Sequence, residues 1–139
     1  LEIEPAPLAR EHWRYYSNTD AQFIVHFQGK PLAGAKVSLL TGNGSSAEFT
    51  ADAKGLVTIP LPEDFAYEKP GRMANPASEF LLTAEHSAGA QRHITTFSYG
   101  YHVNPEHWQS TELGLAVVAG GMLIGGFMTL RKRRRKEKK

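Results

Sequence analysis

The sequence predicts a mainly β protein: an antiparallel β-sandwich followed by a single C-terminal transmembrane α-helix. Three observations predict it. Apolar residues recur with a period of two between residues 20 and 101. Eighteen residues from Leu113 to Leu130 (LGLAVVAGGMLIGGFMTL) carry no charge. The cationic run RKRRRKEKK follows them at once.

Residues 1–20 are read as an irregular N-terminal segment, since Pro5 to Asp20 shows no alternation and carries His12-Trp13-Arg14-Tyr15-Tyr16. From there Phe23, Val25 and Phe27 alternate with Gln22, Ile24 and His26, and Ala35, Val37 and Leu39 alternate with Lys36, Ser38 and Leu40. Phe49 and Ala51, then Val57, Ile59 and Leu61, then Phe80, Leu82 and Ala84, then Ile94, Phe97, Tyr99 and Tyr101 continue the rhythm. Short alternating runs broken by Gly, Pro, Asn and Asp mark half-buried antiparallel strands. The breaks fall at Gly29-Lys30-Pro31, Thr41-Gly42-Asn43-Gly44, Asp52-Ala53-Lys54-Gly55 and Ser87-Ala88-Gly89-Ala90. Six or seven such strands suit a small Ig-like sandwich over residues 21–101. The stretch Pro62 to Ser78 is too long for a hairpin and reads as an ordered surface loop, packed down by Phe65, Tyr67 and Met73. Residues 102–112 are a juxtamembrane linker, 113–130 the span and 131–139 a basic tail.

Eighteen helical residues cover roughly 27 Å, about the hydrocarbon thickness of a bilayer. Lipid leaves no partner for unpaired backbone groups, so a single crossing segment is a helix. Lys and Arg beside a span stay on the cytoplasmic side. The expected location is therefore the cell (inner) membrane, with the N-terminal domain periplasmic or extracellular and the tail cytoplasmic. Charge divides in the same way. The last nine residues hold eight of the 16 Lys and Arg with one acid, Glu137, for a net +7. The rest holds eight basic and 13 acidic side chains, a net −5 with His neutral. A basic tail at a span binds anionic lipid headgroups rather than nucleic acid. Tyr99, Tyr101 and Trp108 read as an aromatic belt at the membrane interface, with Arg131, Lys132 and Arg133 on its cytoplasmic side.

The helix also offers a packing surface. Val117, Gly121, Gly125 and Thr129 fall on one face at four-residue spacing, with Ala116 and Gly120 beside it. Small residues let another helix approach closely, so packing drives association in lipid. The expected partner is an integral membrane protein or a second copy of the chain. A chain opening on Leu1 with no export segment is expected to be a processed or partial product. Absent cysteine excludes disulfides, thiolate metal sites and covalent c-type haem attachment here.

The string Gly29-Lys-Pro-Leu-Ala-Gly-Ala-Lys-Val37, followed by Phe49-Thr-Ala-Asp-Ala-Lys-Gly-Leu-Val-Thr-Ile-Pro60 and Phe80-Leu-Leu-Thr-Ala-Glu-His86, resembles a known pattern. Residues 1–101 resemble the second half of a periplasmic Ig-like family associated with nickel and cobalt uptake. The core string is shared with carboxypeptidase-regulatory-like and adhesin sandwiches. The resemblance implies an Ig-like fold and a role in nickel or cobalt uptake. The histidine such proteins carry near the mature N-terminus has no counterpart among the matched residues.

Neutral imidazole is the commonest metal ligand, and the chain has six His. If residues 80–86 and 92–99 form a hairpin with a two-residue Gly89-Ala90 turn, parity places His86 opposite His93, roughly 5 Å apart at Cβ. Such a pair suits a Ni, Co, Cu or Zn ion, with His26, Glu85 or a tail residue as a third ligand. The alternative is an ordinary half-solvated pair. Glu63-Asp64 reads as a solvated acidic pair. No nucleophile elbow, H-E-x-x-H or phosphate loop is present, so an enzyme is not expected. The preferred reading is a non-catalytic accessory subunit of a membrane complex. The other readings are a structural accessory of an electron-transfer or respiratory assembly without its own metal, or an adhesion-type surface domain.

Overall fold

The computed structural model describes residues 1–8, 13–66, 76–108 and 110–136. In chain order the strands are β1 (Glu2–Pro5), β2 (Tyr15–Tyr16), β3 (Asp20–Phe27), β4 (Lys30–Pro31), β5 (Lys36–Thr41), β6 (Ser46–Thr50), β7 (Leu56–Pro60), β8 (Ala77–Ala88) and β9 (Gln91–His102). The helices α1 (Pro105–Trp108) and α2 (Thr111–Lys136) follow. One sheet is built on β3, which pairs with β1, β4 and β7. The other has the order β2-β9-β8-β5-β6.

The alternation explains which side chains turn inward. In β3, Ala21, Phe23 and Val25 are buried, while Asp20 and Gln22 are exposed. Val37 and Leu39 of β5, Val57 and Ile59 of β7, and Phe80, Leu82 and Ala84 of β8 obey the same parity and meet in one cluster. Both sheets thus supply a single core, as two sheets with one apolar face each must. Tyr15, Phe23, Phe80, Phe97 and Tyr101 form its aromatic centre, with ring centroids between 5.2 and 6.2 Å for Phe23–Phe97, Tyr15–Phe80 and Phe80–Tyr101. Ile94 has the opposite parity and faces out.

The described parts of the N-terminal segment, 1–8 and 13–20, contain two strands that alternation did not mark. Ile3 lies opposite Val25 in the β1–β3 ladder, and Tyr15 opposite Tyr101 in the parallel β2–β9 pair. Each segment turns one side chain into the core, Ile3 and Tyr15, which is too little repetition to register as a period. Glu2 and Glu4 point outward on a strand at the sheet margin, where charge discourages pairing with other chains. At one turn the backbone demands glycine. Gly55 has φ of +74°, and a Cβ there would come within 2.8 Å of the Val25 carbonyl oxygen.

The linker is shorter than the sequence suggests. His102 ends β9, Val103 is fully buried, and the Asn104 N–H donates to Ser17 Oγ at 3.1 Å. Asn104 Oδ1 then caps α1 by accepting the Glu106 N–H at 3.0 Å, and Ser110 Oγ caps α2 by accepting the Leu113 N–H at 3.2 Å. Helix α2 runs 26 residues, about 39 Å, and does not end where the charges begin. Lys and Arg are good helix formers and suit a helix C-terminus, so the basic run through Lys136 prolongs the helix. Within it, Thr111–Thr129 has a mean hydropathy of 1.6, is long and apolar enough to cross a membrane, and is not buried against any of the described residues.

Candidate functional site

The β8–β9 hairpin carries the paired histidines. Ala88 faces Gln91 across a Gly89-Ala90 turn, Gly89 has φ of +62°, and His86 lies directly opposite His93. Both are half-buried on the inner face. Phe27, at the end of β3 in the other sheet, packs on both imidazoles, with centroids 4.6 Å from His86 and 5.0 Å from His93. Among the described residues neither imidazole has a hydrogen-bond partner, and their nitrogens are not buried. A cleft of about 600 Å³ on the outward side of β5, β6 and β8, lined by Lys36, Ser38, Glu48, Thr83 and Glu85, reaches His86 but not His93.

The third ligand expected from sequence does not join them. His26 is on the outward face of β3, one residue out of phase with Phe27, and its Nδ1 lies 3.7 Å from Glu4 Oε2. Glu85 also points outward, where its carboxylate takes the Arg92 guanidinium at 2.6 Å. Among the described residues no three His, Asp or Glu side chains converge on a common point. The structure therefore brings His86 and His93 together and leaves His26 and Glu85 apart.

A second cluster was not legible in sequence. The Asp64 carboxylate is surrounded by the side chains of Tyr101, Thr41, Asn43 and Ser45. The Tyr101 hydroxyl donates to Asp64 Oδ1, Thr41 Oγ1 donates to Oδ2 at 2.7 Å, and Asn43 Nδ2 donates to Oδ1 at 3.1 Å. Asn43 Nδ2 also reaches the Tyr101 hydroxyl oxygen at 3.2 Å. The cluster ties the start of the long connection to the β5–β6 turn and to β9. Phe65 adds an apolar contact, 5.1 Å from the Tyr101 ring. Tyr67 and Met73 lie outside the described residues.

Tyr101 is accordingly corrected from a membrane-interface residue to a core residue with no exposed surface. It continues the inward parity of Phe80 and Leu82 on the neighbouring strand, and β9 extends far enough to carry it inside. Tyr99 is 37% exposed, and its hydroxyl donates to the Trp13 carbonyl oxygen at 3.3 Å. Arg131 is exposed on α2. Trp108, Lys132 and Arg133 fall in helical backbone, with side chains outside the described set.

Electrostatics distinguish the two ends of this half-buried polar network. Burial alone would raise the Asp64 pKa, but hydrogen bonds from Tyr101, Thr41, Ser45 and Asn43 outweigh it and hold the carboxyl below its ordinary value. Burial, then the bond to Asp64, pushes Tyr101 up to about 12. Asp64 therefore contributes stability that is present above its unfolded pKa and lost as pH falls through the lowered folded value. The Tyr101 contribution is complete below its unfolded value of 10.0 and lost as pH rises through about 12. Tyr101→Phe is expected to lower Tm by a constant amount across neutral pH, with the difference shrinking at both extremes. Thermal melts against pH check this; a difference that stays flat through both limbs would contradict the network. Nearby, His102 Nδ1 is buried without a partner among the described residues. Burial, helped by the positive charge of Arg14, lowers the His102 pKa and favours the neutral ring.

On α2, Gly120, Gly121 and Gly125 have open space where a side chain would stand. Ala116, Val117 and Thr129 are likewise exposed along the same part of the helix. The Thr129 hydroxyl donates to the Gly126 carbonyl oxygen at 2.8 Å, so it is satisfied within the helix. No known protein family, curated protein or solved structure matches this chain.

Proposed function

We propose that the chain is a non-catalytic, single-pass, membrane-anchored module, an Ig-like sandwich held outside the cytoplasm as the accessory subunit of a membrane complex. The observation that carries this reading is the Thr111–Thr129 segment, which finds no apolar cover among the described residues. Leu115, Val117, Met122, Leu123, Ile124, Phe127 and Met128 are all exposed. Leaving one such side chain in water rather than buried forfeits about 1.5–3 kcal/mol. A bilayer covers them all, and the basic run after Leu130 orients the tail toward the cytoplasm.

The role of docking subunit is supported by the small-residue face. Gly121 and Gly125 lie one turn apart with open space above each, which suits close approach of a partner helix. Gly121→Leu and Gly125→Leu are expected to release the chain from a complex captured in mild detergent while leaving it in the membrane fraction. Size-exclusion profiles of the captured complex check this. Unchanged co-elution for both variants would leave the helix as an anchor only.

The resemblance to nickel- and cobalt-uptake proteins suggests a specific form of the role, assistance to uptake of those ions. The observation that favours it is the facing of His86 and His93. A cobalt or nickel permease among the co-purifying proteins supports that form. Respiratory subunits would instead make the chain a structural accessory of an electron-transfer assembly.

A further inference from the structure

We propose that His86 and His93 form a two-imidazole site for a late first-row divalent ion, with Cu²⁺ bound most tightly, at the end of the β domain farthest from α2. This inference rests on the hairpin alone and holds whether or not α2 docks on a partner.

Register places the ligands. The His86 and His93 Cα atoms are direct partners, and the tight Gly89-Ala90 turn, separated from them by the pairs Ser87–Arg92 and Ala88–Gln91, holds that register. Directly opposed residues have Cβ atoms about 4.5–5.5 Å apart. Imidazole nitrogens on such side chains can converge on one ion with bonds of about 2.0–2.1 Å. Phe27 contacts both rings from the facing sheet, with centroids 4.6 Å from His86 and 5.0 Å from His93.

The chemistry selects the ion. Two nitrogen donors with no carboxylate suit borderline ions rather than Ca²⁺ or Mg²⁺. The order of stabilities puts Cu²⁺ above Ni²⁺, Co²⁺ and Zn²⁺ at such a site. Because Glu85 is held by Arg92 and His26 is on the outer face, the remaining coordination positions are left to water or to a ligand from another molecule. Such a two-ligand site is open, suited to accepting and releasing an ion rather than burying it.

Position gives the site its sense. β9 runs from the hairpin tip toward α2, and His93 precedes His102 by nine residues, roughly 30 Å of strand. The ion would therefore be held well away from the helix end of the domain.

The test uses the full chain in detergent micelles. In wild type, Zn²⁺ titration followed by imidazole proton resonances is expected to shift His86 and His93 together and leave His26 and His102 in place. Cu²⁺ titration is expected to give one bound equivalent, with electron paramagnetic resonance showing coupling to two imidazole nitrogens. His86→Ala or His93→Ala is expected to weaken Cu²⁺ on the order of a hundredfold, because the second ligand then no longer acts at high effective concentration. Wild-type affinity in both variants would overturn the site. So would Zn²⁺ shifts absent from both His86 and His93 in the wild-type chain, a result that does not depend on the variants folding.

Discussion

Phe80→Ala is expected to lower the stability of the β domain by about 3–5 kcal/mol, the range for truncating a buried Phe. Phe80 sits where the two sheets meet. Its ring centroid is 5.4 Å from Tyr15, 6.2 Å from Phe23, 6.2 Å from Phe97 and 6.2 Å from Tyr101. These partners come from β2, β3 and β9, so one deletion loosens contacts that tie both sheets and the N-terminal segment together. Native domains have only about 5–15 kcal/mol to lose, so the variant is expected to be at or near the edge of folding. In urea the midpoint should fall with little change in slope, while Phe80→Leu retains most of the stability. A midpoint shift no larger than that of a surface substitution would mean that Phe80 is not the meeting point of the sheets.

The second large effect lies in α2. Met122→Lys places a cation near the middle of the apolar segment. A Lys at a span centre costs about 2.5–3.5 kcal/mol on insertion scales, roughly a hundredfold in the inserted ratio. The segment's glycines contribute little hydrophobicity, and its mean hydropathy is only 1.6, so it has little surplus to absorb that cost. The fraction resisting alkaline extraction from membranes is expected to fall sharply for Met122→Lys and to stay unchanged for Met122→Leu. Equal extraction of the two variants would mean that the helix does not insert.

What the sequence revealed follows from how far each signal reaches along the chain. Alternation in β3, β5, β7 and β8 is local, repeated and dictated by a buried face, so the inward set could be read directly. The facing of His86 and His93 needed only parity and a two-residue turn. Strands β1 and β2 hid because each contributes a single inward side chain, and their order comes from partners far along the chain. The Asp64 network hid for the same reason: Thr41, Asn43 and Tyr101 are 23, 21 and 37 residues away, and no local pattern links them. Tyr101 reads as an interface residue from sequence because an aromatic near a span has that look, whereas the length of β9 decides that it is core. The charge boundary at Arg131 marks where the apolar segment ends, not where the helix stops, so the continuation of α2 to Lys136 carries no signal in the hydropathy pattern.

The central claim is that the β domain and the basic tail lie on opposite sides of a membrane. A chain without cysteine makes the measurement clean, since a single introduced thiol has no background. Ala90→Cys at the exposed hairpin turn and Lys138→Cys in the tail would each be treated in intact cells with a membrane-impermeant maleimide, after permeabilising the outer envelope where one is present. The account predicts labelling of residue 90 at once, and of residue 138 only after the cell membrane is opened. Labelling of residue 138 in closed cells, or protection of residue 90, would contradict it.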